Sequence, residues 1–175
     1  MLRAKIRWES ALSLRTEVEQ VRQQLALTES QFRPLGLREW EGIEERIYHT
    51  FCKLNSPKAR PTWLWEHFKL ETQAWHRPGV LPDFLLTQLV DKRETVWLML
   101  NNTVNESTKF WLYEGRVEAI QQVISECYLL DEIYLISKKY EWLLCIDHHN
   151  VLYATGGDMP TKLRQLETSA SEVIS

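Results

Sequence analysis

Asp131-Glu132-Ile133-Tyr134-Leu135-Ile136-Ser137-Lys138-Lys139-Tyr140-Glu141-Trp142-Leu143-Leu144-Cys145-Ile146-Asp147-His148-His149-Asn150-Val151-Leu152-Tyr153-Ala154-Thr155-Gly156-Gly157 reads as three strands joined by two polar turns, a β-meander. Strand side chains alternate between faces, so a slip of one residue would turn every apolar group the wrong way. If Lys138-Lys139 form a short loop, Ile133 and Leu135 lie opposite Leu144 and Trp142 on one face. Tyr134 and Ile136 then share the other face with Leu143 and Glu141. Lys-Lys is not a favoured two-residue hairpin turn, and a longer loop of the same parity preserves these faces. Asp147-His148-His149-Asn150 forms the second turn, with Ile146 and Val151 continuing the apolar face. The two turns sit at opposite ends of the middle strand. That places Lys138 and Lys139 on the order of 25 Å from His148 and His149 at about 3.3 Å per residue, too far to share one pocket.

Upstream of the meander the period is again two. Thr95 to Asn101 and Lys109 to Tyr113 read as a hairpin around the polar stretch Asn102 to Thr108. After Gly115, the spacing of Val117, Ile120, Ile124 and Cys127 defines a crossover helix, so the strands on either side of it run parallel if they share a sheet. The expected fold is a single α+β domain over residues 1–175. Its mixed, mostly antiparallel sheet has about five strands in ββαβββ order, with N-terminal helices packed on it. Three segments make it up: residues 1–33 with an amphipathic helix, a helical stretch over 37–92, and the sheet with its crossover and C-terminal helices over 94–168.

Ala11, Leu14, Val18, Val21 and Leu25 follow a 3-4-3-4 spacing, with Glu17, Glu19, Arg22 and Gln23 elsewhere on the surface. This narrow seam docks on its own domain or pairs with a second copy, giving a monomer or a dimer through the N-terminal helix. Pro34 and Gly36 end the pattern. Trp40, Ile43, Ile47 and Phe51 mark a second helix, and Thr62 can cap a third beginning at Trp63. Phe84, Leu85 and Leu89 indicate a short helix after Pro82. Pro160 suits the first turn of a last helix that carries Leu163 and Leu166.

Of 175 residues, 44% are hydrophobic and 26% charged, and the formal net charge is -3. A chain of this length buries a substantial core, and its mild acidity speaks against a dedicated nucleic-acid binder. Cys52, Cys127 and Cys145 are odd in number and widely spaced, which fits buried small side chains better than disulfides or a cysteine-rich zinc site. Arg3, Lys5 and Arg7 precede no apolar run, so no secretory signal is expected. Nor does any window reach the length of a membrane span. The expected setting is cytoplasmic. The Asn101-Asn102-Thr103 and Asn105-Glu106-Ser107 patterns then read as a polar loop rather than glycosylation sites.

Chemistry is sparse: the chain has no phosphate-binding glycine loop, no Gly-x-Ser-x-Gly elbow and no His-Glu-x-x-His helix. Two places merit weighing. Trp63, Glu66 and His67 become neighbours if the third helix forms, giving a carboxylate and an imidazole beside an indole. At the end of the sheet, Asp131, Glu132, Asp147, His148 and His149 crowd one corner, with groups suited to a divalent metal or to acid–base work. Neighbouring histidines on a strand point to opposite faces, so both reach one ion only if the turn rotates one of them. Aromatic core packing with a solvated Glu66–His67 edge is preferred for the first place and a solvated hairpin tip for the second, with no resident metal or cofactor. The candidate functional surface is Asp147, His148, His149, Lys138, Lys139, Glu66 and His67.

Lys138-Lys139-Tyr140-Glu141-Trp142-Leu143-Leu144-Cys145 followed by His148-His149, Val151-Leu152 and Gly156, together with Lys109-Phe110-Trp111-Leu112-Tyr113-Glu114-Gly115 and Trp63-Leu64-Trp65-Glu66, resembles a functionally uncharacterised family of small bacterial proteins. In size and strand–helix order the chain is also similar to bacterial toxin-immunity proteins of the SMI1/KNR4-like group. The first resemblance brings no activity with it. The expected function is a non-enzymatic module that binds another protein, which needs no motif that is absent and which the second resemblance implies to be of immunity type. The alternative is a small metal-dependent or acid–base enzyme using Asp147, His148 and His149.

Overall fold

A computed structural model describes residues 13–103 and 109–174. Arg3, Lys5, Arg7, Ala11 and the Asn105-Glu106-Ser107 pattern lie outside them. In chain order the elements are α1 (Leu14–Gln24), β1 (Phe32–Pro34), α2 (Trp40–Phe51), β2 (Thr72–Trp75), α3 (Leu86–Leu89), β3 (Thr95–Asn101), β4 (Trp111–Arg116), α4 (Val117–Glu126), β5 (Glu132–Ser137), β6 (Leu143–Ile146), β7 (Leu152–Thr155) and α5 (Met159–Ile174). Short 3-10 turns occur at Leu64–His67 and Pro82–Leu85.

The sheet has seven strands in the order β1-β4-β3-β5-β6-β7-β2, two more than expected. The additions are the edges. β1 and β2 are three and four residues long, too short to show a period, and β1 ends in Pro34, a residue confined to such positions. β1 reaches β4 because Gly115 has no side chain: a Cβ there would lie 2.9 Å from Phe32. The expected mixed sheet is corrected too. β4 and β5 do run the same way on either side of the α4 crossover, but β3 lies between them, so every pairing among the described strands is antiparallel.

Helices cover both faces. Leu98, Leu100, Ile133, Leu135, Leu144, Ile146 and Leu152 pack with α1, α3, α4 and α5, while Met99, Tyr134, Ile136, Leu143 and Cys145 pack with Ile47, Tyr48 and Phe51 of α2 and with Leu64. Burial on both sides is why β5 and β6 read as almost continuous apolar runs. The meander keeps the expected faces but its register moves by two residues, with Leu135 opposite Leu144 and Ile133 opposite Ile146. The turn takes four residues, Lys138 to Glu141. Ser137 Oγ accepts the Glu141 N–H, and Tyr140 adopts a left-handed φ of 58°.

The seam of α1 is spent inside the domain, with Leu14, Val18 and Val21 buried in the larger core. Glu17, expected on the surface, is 8% exposed. Its carboxylate accepts the Tyr128 N–H at 2.8 Å and the Leu129 N–H at 2.9 Å, tying α1 to the loop after α4. Glu17→Gln sets an amide NH2 against one of these donors. It is expected to lower the unfolding free energy by about 1 kcal/mol, the net worth of one such bond. Chemical denaturation that returns the parent stability would show that the tie does not hold the loop.

Candidate functional site

The pleat gathers one set of side chains on the α2 face of the sheet, at the end where β6 turns into β7. Glu132 and Tyr134 come from β5, Cys145 and Asp147 from β6 and the turn after it, and Tyr153 from β7. With Ile133 paired to Ile146, the next pair outward is Glu132 and Asp147. The two carboxylates thus meet across the strands, with relative exposures of 0% and 2%. Asp131, which the shorter turn would have set opposite Ile146, instead accepts the Thr103 N–H and hydroxyl.

Burying a carboxylate is costly unless donors surround it, and both have them. Glu132 accepts His148 Nδ1–H at 2.6 Å and the Tyr134 hydroxyl at 3.0 Å, and the Tyr134 oxygen in turn accepts the Leu64 N–H at 3.2 Å. Asp147 accepts the backbone N–H groups of His149 and Val151, each at 2.9 Å, and the ring Nδ1–H of His149 at 3.2 Å. The backbone bonds shape the turn, which Asn150 closes with a left-handed φ of 60°. Burial pushes the Glu132 carboxyl up, against the lowering effect of its His148 and Tyr134 partners. It also raises the Tyr153 hydroxyl to about 12, with Asp147 contributing.

The corner is a solvated tip over a buried base: His148, His149 and Asn150 are exposed, while Asp147 and Glu132 are buried. His149 is open, its side chain 62% exposed, but the His148 side chain is only 29% exposed. The Trp63 and Trp65 rings lie 5.5 and 6.4 Å from the His148 ring, and Trp65 stacks on Tyr153 at 5.5 Å. The aromatic run and the histidine turn, read separately in the sequence, thus form one place. The helix expected from Trp63 is only a 3-10 turn, and its indoles, not Glu66 or His67, meet the corner. Glu66 is exposed and His67 half-buried. No regular periodicity foretold this junction; the one available signal was pleat parity, which puts Glu132, Tyr134, Asp147 and Tyr153 on one face.

Residues 10–167 match the model of a family of unknown function, DUF6756. The chain belongs to this family. No curated protein and no solved structure matches it. The match spans every described strand and the histidine corner. Among the described residues no helix is long and apolar enough to cross a membrane.

Lys138 and Lys139 lie at the opposite end of β6 from the histidines, as expected. Lys139 is exposed. Lys138 is committed: its Nζ sits 3.6 Å from the centre of the Trp97 ring and pairs with Glu114, which also binds Arg33 at 2.6 Å. The cysteines carry no reactive thiol character. Burial pushes Cys52 and Cys127 up to about 12 and holds Cys145 well above its ordinary value. Among the described residues no group of three or more His, Cys, Asp or Glu side chains is arranged to hold a metal ion.

Proposed function

We propose that this chain is a non-enzymatic module that binds another protein at the histidine end of its sheet, acting in the bacterial cytoplasm in the manner of a toxin-immunity protein. One observation carries the reading. Val80, Leu81 and Phe84, three large apolar side chains on one short connection, are 53%, 60% and 51% exposed. Clefts flank this connection, one lined by Leu81, Phe84, Ile146 and Asn150 and the other by Val80, Leu81, His149 and Asn150. Clustered exposed apolar groups rimmed by polar residues are characteristic of contact surfaces. The histidine turn supplies that polar rim here.

The test is a pull-down from the source cell with the parent chain and with Leu81→Asp and Phe84→Asp. Both side chains are half open to solvent, so the variants should stay folded and lose at least tenfold in partner capture. Retention of the same partner by both folded variants would rule out this face. A second reading, acid–base catalysis at His148, is favoured by the buried Glu132 carboxylate behind its Nδ1, the arrangement that orients a general base. Hydrolytic turnover that disappears in His148→Gln, with no partner found, would establish it instead.

A further inference from the structure

His148 and His149 share a feature that contact with a protein does not require. Each ring is held by its Nδ1 to a carboxylate that is almost wholly buried, at 2.6 Å for Glu132 and 3.2 Å for Asp147. The other contacts that Glu132 receives come from the Tyr134 hydroxyl and the His148 N–H, both donors. Asp147 likewise receives two backbone N–H groups and the Tyr153 hydroxyl. The carboxylates therefore accept throughout, which places the ring proton on Nδ1 of each histidine. Nε2 is left with its lone pair on the side of the ring away from the carboxylate.

Two histidines in succession on a strand would point to opposite faces. The turn overcomes this, bringing the ring centres within 3.9 Å with 42° between the planes. Two imidazoles with free Nε2 atoms, each backed by a carboxylate on Nδ1, form the pattern found behind metal-bound histidines, where the carboxylate fixes the tautomer and raises ligand basicity. Glu132 and Asp147, both buried, set acceptor oxygens behind the two rings. The His149 side chain is 62% exposed, so an ion reaches it from solvent.

We infer that His148 Nε2 and His149 Nε2 form an exchangeable site for a borderline divalent transition-metal ion of the zinc, nickel or copper class, with water completing the coordination. Nitrogen donors select this class over magnesium or calcium, which prefer oxygen. A third protein ligand is absent among the described residues, so the ion exchanges with solvent and is no structural cofactor. The site needs no protein partner, which separates it from the binding reading.

Tag-free, chelator-stripped protein titrated with Ni2+ tests it, with calorimetry for stoichiometry and tryptophan fluorescence for location, since Trp63 and Trp65 flank His148. One saturable equivalent per chain is expected, and Cu2+ should bind more tightly than Ni2+ in keeping with the general affinity order. His149→Ala, at an exposed position, should weaken binding at least tenfold. Glu132→Gln, which touches no ion, should weaken it by roughly 10–100-fold, the usual cost of losing a carboxylate behind a histidine ligand. His49→Ala, on α2, should leave it unchanged. Unsaturable binding, or equal affinity in His149→Ala and the parent, would overturn the inference.

Discussion

Trp142→Ala is expected to cost about 3–5 kcal/mol, the range for deleting a large aromatic side chain from a core. Trp142 is 7% exposed and belongs to the larger core. It stands where the four-residue turn enters β6, and its carbonyl accepts the Ser137 N–H that closes the hairpin. Gly157 lies against it, with its Cβ position 4.0 Å from the Trp142 Cβ, and Gly156 approaches the Glu141 carbonyl so closely that a Cβ there would stand 2.7 Å from the oxygen. This indole thus packs where the first turn of the meander meets the start of α5. Trp142→Phe should recover part of the loss. Urea denaturation giving Trp142→Ala the parent midpoint would contradict both the burial and the strand register on which it rests.

The meander was legible because three runs of apolar residues alternate with turns rich in charge, and pleat parity assigned each side chain its face. What parity cannot supply is the length of a turn. Lys138-Lys139 and Lys138-Lys139-Tyr140-Glu141 preserve the same faces, and the choice depends on the Ser137 hydroxyl and on the left-handed backbone of Tyr140. That difference of two residues decides whether Leu130 or Glu132 stands opposite Asp147. The edge strands were hidden for another reason: their pairing comes from distant partners, Gly115 for Phe32 and Leu152 for Trp75. The meeting of Trp63 and Trp65 with His148 depends on where the loop after α2 crosses the sheet, which no local pattern encodes.

The Glu132–His148 pair gives the other large effect. His148→Ala leaves a fully buried carboxylate with the Tyr134 hydroxyl and the residue's own N–H but without its imidazole partner. Removing a hydrogen-bond donor from a buried charged acceptor costs about 3 kcal/mol or more. The His148 side chain is 29% exposed, so water offsets part of this and about 2–3 kcal/mol is expected. Glu132→Gln alone removes the buried charge while keeping an acceptor for Tyr134, and should cost less. If the cost of His148→Ala arises from the abandoned charge, it should shrink by at least about 1 kcal/mol in the Glu132→Gln background, as coupled neighbours depart from additivity. Equal costs in both backgrounds would mean that His148 stabilises the turn by packing against Trp63 and Trp65 and not by answering Glu132. The carboxylate would then lose its claim to be the group that orients the imidazole.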